Sequence, residues 1–343
     1  MRIPCASILF CLTLAACVGA GDQVDEDTAS LLGAVPAGTH VKVCNATSLN
    51  QRGGPGTSYS ILRALPADTE VVVLATSGNW VRNDWSGKVG WSSGAYLCPA
   101  GGGSGSGTIW VPAPKTTWQW QLTGSVNENV SVQMIDIDLF DNDAALIARL
   151  KNKGIKVICY FSAGSYENWR PDAGQFPAAV LGNPMDGWAG ERWLNVKRRD
   201  LLLPIMKARL DRAVQKGCDG VEPDNVDVWT NNAEAGLSVT GTDQLLYNRA
   251  LATEAHARGL SIALKNDGEQ ASQLVGDFDF SINEQCVEQD NCDDLTPFIT
   301  ANKAVFNCEY SVSVSTMCAE TKPRKFSSIK KSLSLGASFT TCP

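Results

Sequence analysis

The chain has 343 residues, room for two domains at about 100–200 residues each, and its 44% hydrophobic and 19% charged composition excludes a wholly disordered or collagen-like chain. A formal charge of −7 argues against nucleic acid or an anionic membrane surface as the main partner, because both require a clustered basic excess, and a cationic ligand suits it better. Its two histidines, His40 and His256, are too few for His-based zinc sites and poor material for a Ser/His/Asp triad, so carboxylate chemistry without metal or cofactor is the expectation.

Met1-Arg2 begins the chain with positive charge, and Ile8 to Ala16 form an apolar run of secretory length, too short to anchor across a bilayer. This predicts a signal peptide over residues 1–16. The sequence Leu14-Ala15-Ala16-Cys17 resembles a bacterial lipobox, which implies acylation of Cys17, export, and attachment to a membrane by the lipid, the outer one where present. The alternative is an ordinary signal peptide with a chance cysteine. Residues 17–37 then form a polar, acidic tether. Nine cysteines follow Cys17, and in an oxidising compartment pairs persist. Cys44 with Cys98, Cys286 with Cys292 and Cys318 with Cys342 are the expected disulfides, and an odd count leaves at least one thiol over. No C-x-x-C pair occurs, which speaks against structural zinc and thioredoxin-like chemistry.

Residues 38–99 contain short β-rich runs, Val41–Cys44, Glu70–Ala75 and Trp80–Asn83, separated by Gly/Pro turns, a small β-barrel pattern. Ser48 to Tyr59 with Gly90-Trp91 resembles the bacterial Src-homology-3-like domain. That resemblance implies contact with cell-wall peptide or glycan through exposed aromatics among Tyr59, Trp80, Trp85 and Trp91; packing inside a small core is the competing role for Trp80 and Trp91. Residues 100–108, rich in Gly and Ser, read as a flexible linker. No preceding strand and no following Gly-Lys-Ser/Thr supports a phosphate loop there.

From residue 109 to 343, apolar runs alternate with helical patterns. Eight runs are predicted as strands: Val132–Leu139, Lys156–Ser162, Trp193–Val196, Gly220–Asp224, Leu260–Lys265, Phe278–Glu284, Ala304–Glu309 and Leu333–Ala337. Helical segments at Ala144–Lys153, Leu203–Lys216 and Thr242–Arg258 each close near a glycine. Eight such units predict an α/β fold, a (β/α)8 TIM barrel preceded by the small all-β barrel. An open doubly wound sheet lacks its nucleotide fingerprint here.

Active sites of such barrels lie at the C-terminal strand ends. Read there, the candidates are Asp136, Asp138 and Asp141; Tyr160 and Glu167; Glu222, Asp224, Asn225 and Asp227; Lys265 and Asn266; Glu284; Glu309 and Tyr310. Carboxylates this crowded raise one another's pKa, and one neutral beside one ionised carboxyl is what glycoside hydrolysis requires. Asp141 and Asp143 are expected as helix caps, and His256 as structural. Trp110, Trp118, Trp120, Trp169 and Trp188 can stack on sugars or pack, with Trp169 the leading stacking candidate.

Five segments in order, Trp118–Leu122, Val157–Glu167, Asp219–Asp227, Leu264–Asp267 and Asn283–Cys286, resemble glycoside hydrolase family 114. The resemblance implies an endo-acting hydrolase of α-1,4-linked polygalactosamine, a cationic polymer suited to an acidic cleft. Catalytic roles are then expected for Asp224 as nucleophile and Glu284 as acid/base, because carboxylates on the fourth and sixth strands face one another in several retaining α-glycosidases. Substrate contacts are expected from Asp136, Asp138, Tyr160, Glu167, Trp169, Glu222, Asn225, Asp227, Lys265, Asn266, Glu309 and Tyr310. Glu222 competes with Asp224, since residues two apart point the same way. A peptidoglycan-directed hydrolase and a non-catalytic carbohydrate-binding lipoprotein remain alternatives.

Overall fold

The computed structural model describes residues 40–43, 46–67, 69–99 and 109–342. The expected signal peptide and acidic tether, Cys17, the Gly/Ser linker and the expected Cys44–Cys98 pairing lie outside the described residues.

The N-terminal unit is a seven-stranded antiparallel sheet formed by His40–Val43, Ser48–Arg52, Ile61–Pro66, Glu70–Ser77, Trp80–Trp85, Lys88–Ser93 and Leu97–Pro99. Alternate positions, Val71 and Val73 on one strand and Leu49 on another, turn inward to a small aliphatic core with Val41, Val43, Leu65, Val81 and Leu97. Gln51, buried there, satisfies its amide on Asn83 Oδ1 at 2.7 Å. Of the four aromatics proposed for contact, Tyr59 is exposed while Trp80, Trp85 and Trp91 are partly buried.

The larger unit holds eight parallel strands: β1 Trp118–Gln121, β2 Met134–Asp138, β3 Lys156–Ser162, β4 Gly220–Asp224, β5 Ser261–Lys265, β6 Phe280–Glu284, β7 Val305–Glu309 and β8 Ser327–Lys330. They pair in sequence order, and Thr340–Thr341 adds one antiparallel strand beyond β8. The sheet curls. Trp118 of β1 lies 5.1 Å from Phe306 of β7, ring centre to ring centre, inside a concave core with Trp120, Met134, Ile158, Phe280, Ile282 and Ile329. Each such fully buried side chain contributes roughly 1.5–3 kcal/mol. No backbone ladder joins β1 to β8 among the described residues. Side chains span that edge instead: Trp118 Nε1 donates to Ser327 O at 2.7 Å, and Lys331 Nζ to Gln119 Oε1 at 2.9 Å.

Helices α1 Ala144–Asn152, α2 Arg199–Lys216 and α3 Gly241–His256 cover the convex face, where Ile147, Leu150, Ile205, Met206, Leu210 and Leu251 meet the outward residues of the sheet. Asp143 caps α1 by accepting from Leu146 N at 2.7 Å, and Thr240 with Asp243 forms a capping box on α3. Asp141 is no cap; its N–H goes to Asp138. His256 is structural, its ring bonded to Asp279 at 2.8 Å.

Three expectations on the strands need correction. The run at Trp193–Val196 supplies Glu191–Leu194, which belongs to a separate three-stranded antiparallel sheet with Ser165–Glu167 and Leu181–Pro184. A short apolar run does not reveal whether its partner runs parallel or antiparallel. No strand forms at Leu333–Ala337: Leu333 is exposed, Leu335 is left-handed at φ 47°, and the eighth strand lies just upstream. The strand missing from the count is β1, whose Trp-Gln-Trp-Gln alternation suggests one wet face although all four side chains are buried.

Disulfides join Cys286 to Cys292 and Cys318 to Cys342, and a third, Cys159 to Cys218, ties β3 to the turn after α2. Cys308 is the free, buried thiol among the described residues.

Candidate active site

Period-two alternation decides what the concave face presents. Along β4 it faces inward with Gly220, Glu222 and Asp224; along β5 with Ser261, Ala263 and Lys265; along β6 with Phe280, Ile282 and Glu284. Apolar groups thus occupy much of the lower sheet, and ionisable ones gather at the C-terminal ends. Lys265 sits at the centre, donating to Asp224 Oδ1 at 2.7 Å, with Glu284 Oε2 at 2.9 Å and Glu222 Oε1 at 3.7 Å. Its ammonium also lies 5.0 Å from the centre of the Trp120 ring. Burial alone would lower its pKa, but Asp224, Glu284 and Glu222 together hold it well above the usual lysine value.

Two tyrosines orient the outer carboxylates. Tyr160 donates to Asp224 Oδ2 at 3.0 Å, and Tyr310 donates to Glu284 Oε1. Burial and the neighbouring carboxylates raise both phenols, so each keeps its proton for that bond. One layer deeper, Glu222 Oε2 accepts from Trp120 Nε1 at 3.0 Å. Asp136 faces Glu222, and both are fully buried. Burial pushes Asp136 up to about 7 and holds Glu222 well above the usual carboxylate range, while Asp227 near the mouth is pushed up to about 6.

Residues that follow these strand ends are left-handed: Asn225 (φ 59°), Asn266 (φ 51°), Asp267 (φ 40°) and Gln285 (φ 61°). Such conformations cost energy outside glycine and persist where surroundings enforce them. Two of the enforcing bonds lie at Asn225 and Asn266. Asn225 N donates to Asp224 Oδ1 at 2.7 Å, and Asn266 Oδ1 accepts from Glu284 N at 3.0 Å. Gly164 makes the first turn possible, since a Cβ there would stand 1.6 Å from Asn225 O.

Some expected contacts lie elsewhere. Asp138 is held by Arg170 in a two-pronged pair at 3.0 and 2.7 Å and also accepts from Phe140 N and Asp141 N, so its oxygens are occupied by protein. Glu167 shares Arg170, at 2.7 Å. Glu309 points to the opposite face of β7 from Cys308, where it accepts from Val287 N at 2.9 Å and holds the loop after β6. Trp118 and Trp120 are core residues, and Trp110 packs on Phe280. Trp169 and Trp188 are 52% and 55% exposed, on neighbouring loops joined by the bond from Asn168 N to Gly190 O.

Sequence reasoning missed Asp267, whose carboxylate accepts from Trp229 Nε1 and Asn248 Nδ2, both at 2.9 Å. Burial nevertheless pushes it up to about 8. A carboxyl raised on folding binds its proton more tightly in the native state, so stability falls as pH rises from the unfolded value near 4 to about 8. The melting temperature should therefore drop across that window, and Asp267→Asn should flatten part of the drop. An unchanged slope in Asp267→Asn would remove this assignment.

No group of three or more His, Cys, Asp or Glu suited to hold a metal ion occurs among the described residues. The chemistry on offer is paired carboxylates around one ammonium at the open end of a curled parallel sheet.

Comparison with known proteins bears on this arrangement. The family model for glycoside-hydrolase family GH114 matches residues 103–343, and that for the bacterial SH3 domain matches residues 47–97. Among solved structures, one of Aspergillus fumigatus Ega3 in complex with galactosamine is similar at 41% identity and a TM-score of 0.65, covering 70% of this chain and 100% of that one. The glycoside hydrolase domain of PelA from Pseudomonas aeruginosa is similar at 13% identity and a TM-score of 0.52, covering 66% of this chain and 98% of the other, a likeness of fold. No curated protein matches. The carboxylate-bearing strands lie within the first matched segment, and the chain belongs to glycoside-hydrolase family GH114.

Proposed function

We propose that this protein hydrolyses α-1,4 bonds in a cationic, galactosamine-rich polysaccharide, with Asp224 as nucleophile and Glu284 as acid/base on a closed (β/α)8 barrel. The carrying observation is that both carboxylates contact one ammonium, Lys265 Nζ, at 2.7 and 2.9 Å. Laid end to end, those two contacts cap the separation of the facing oxygens near the roughly 5–5.5 Å of retaining enzymes, short of the ~6.5–9.5 Å that an inverting water needs.

In this reading Asp224 attacks the anomeric carbon while Glu284 protonates the departing glycosidic oxygen, leaving a glycosyl–enzyme ester. Glu284, now a carboxylate, takes a proton from water, which attacks that ester and frees Asp224. Tyr160 and Lys265 fix Asp224, and Tyr310 fixes Glu284. Asp227, pushed up only to about 6, is ionised at neutral pH and adds negative potential near the mouth, which draws in sugar ammonium groups, while burial holds Glu222 protonated beneath it. The exposed indole of Trp169 is the stacking surface. The galactosamine bound by the 41%-identical Ega3 supports the substrate class.

Export and lipid attachment at Cys17 belong to the same reading, on the strength of the Leu-Ala-Ala-Cys sequence. Wall or glycan contact is assigned to the small domain, through Tyr59. The test is incubation of the full chain with partly deacetylated galactosaminan and, separately, with peptidoglycan, followed by mass analysis of released oligosaccharides. Galactosamine oligomers from the first alone are the expected result; products from peptidoglycan alone would overturn the substrate assignment.

A further inference from the structure

A polar chain runs from the small antiparallel sheet to Asp224. Glu191, on the Glu191–Leu194 strand, accepts from Ser165 Oγ at 2.7 Å. The hydroxyls of Ser165 and Ser162 are 2.7 Å apart, and Ser162 Oγ accepts from Asn225 Nδ2 at 3.0 Å and from Ser165 N at 3.0 Å. Asn225, left-handed, closes the path by giving its own N–H to Asp224 Oδ1 at 2.7 Å. Both serines are fully buried and Glu191 is 8% exposed.

The frame around this chain is rigid. Ala163 N and Gly164 N donate to Asp224 O at 2.8 and 3.0 Å. Arg209 holds Ser162 O at 2.6 Å, and Tyr247 holds Ala163 O at 2.7 Å. What that frame leaves free is the direction of the hydroxyl protons. Each serine has one proton to give. Ser165 gives its proton to Glu191, so the bond between the serines must be donated by Ser162. The lone pairs of Ser162 are then available to the Asn225 amide, and every group is matched.

We propose that Glu191 is a positioning residue for Asp224, acting through Ser165, Ser162 and Asn225 to fix the orientation of the attacking carboxylate. The inference rests on the reading of Asp224 as nucleophile. An ionised Glu191 accepts only, which sets the polarity of the whole chain. A protonated Glu191 can donate to Ser165, reverse both hydroxyls, and bring the Ser162 O–H against the Asn225 N–H, breaking that contact. Burial pushes Glu191 up to about 7, opposed by its Ser165 bond; Glu167 on the opposite strand and Asp224 add to the rise, and Arg170 opposes it. Loss of catalysis on the acid side follows.

The test compares Glu191→Gln, Glu191→Ala, Ser165→Ala and Asp224→Asn in the full chain, with soluble galactosamine oligosaccharides, across about pH 4 to 8. Ser165→Ala and Glu191→Ala should lose about ten- to a hundred-fold in kcat with KM little changed, the signature of a misplaced reacting group. Glu191→Gln, which still accepts from Ser165 through its amide oxygen, should recover part of kcat and shift the acid limb to lower pH. Ser165→Ala removes one buried hydroxyl and carries the test should Glu191→Ala fail to fold. Unchanged kcat and pH profile in Ser165→Ala and Glu191→Gln, beside an inactive Asp224→Asn, would overturn the relay alone. Activity retained in Asp224→Asn would overturn the assignment beneath it, and the relay with it.

Discussion

Asp224→Asn and Glu284→Gln should each give a folded protein whose hydrolysis of galactosaminan falls by about two to four orders of magnitude or more, as loss of a nucleophile or a general acid does. The fold should survive because both carboxylates sit at strand ends and keep part of their surface open, with side-chain exposures of 16% and 25%. An amide can still accept from Tyr160 or Tyr310. The two losses separate on an activated substrate. An aryl glycoside with a good leaving group needs little protonation, so Glu284→Gln should regain the first step, whereas Asp224→Asn has nothing to attack with. Glu222→Gln should be milder, because its carboxyl is fully buried and bonded to Trp120. Near-full activity in Asp224→Asn together with an inactive Glu222→Gln would show that the nucleophile is the deeper residue of β4.

Lys265→Met should cost about 3–5 kcal/mol of stability and nearly all activity at neutral pH, because it leaves the partly buried carboxylates of Asp224 and Glu284 facing one another without their counter-ion. The ammonium touches Asp224 and Glu284 and lies 3.7 Å from Glu222, while its own side chain is 2% exposed. Like charges left facing one another must then take up protons or move apart. The loss should therefore shrink as pH falls and the carboxylates are protonated, moving residual activity toward acid. Since the folded protein holds Lys265 well above its usual pKa, the ammonium's contribution is present throughout the neutral range in the parent and fades only as pH climbs beyond the unfolded lysine value. Urea denaturation of both proteins checks this: a lower midpoint at unchanged slope is expected, and an equal midpoint would mean that the lysine is dispensable to the fold.

Strand ends were the part of the site most legible from sequence. Glu222, Asp224, Lys265 and Glu284 each lie on a short apolar run bounded by turn residues, and the even spacing from apolar Phe280 and Ile282 to Glu284 already places that carboxylate on their face. Local pattern is enough for this, because side-chain direction along a strand depends on the backbone of that strand alone. The helices were legible for a similar reason: a cap such as Asp143 and glycines such as Gly217 are local features.

Pairing is not local, and there the sequence fell short. Glu191–Leu194 has the composition of a parallel core strand but finds antiparallel partners, and Trp118–Gln121 reads as half-exposed but is buried on both faces. Cys159 meets Cys218 only because β3 and β4 lie side by side. The use of each carboxylate was likewise decided by what the fold brought beside it. Arg170 takes both oxygens of Asp138, Val287 N takes Glu309, and Ser165 delivers Glu191 to the turn beneath Asp224. Sequence by itself determined which residues stand at the strand ends, through the two-residue period of an extended backbone; tertiary structure decided which of them keep a free oxygen, because a carboxylate's chemistry depends on donors that arrive from distant parts of the chain.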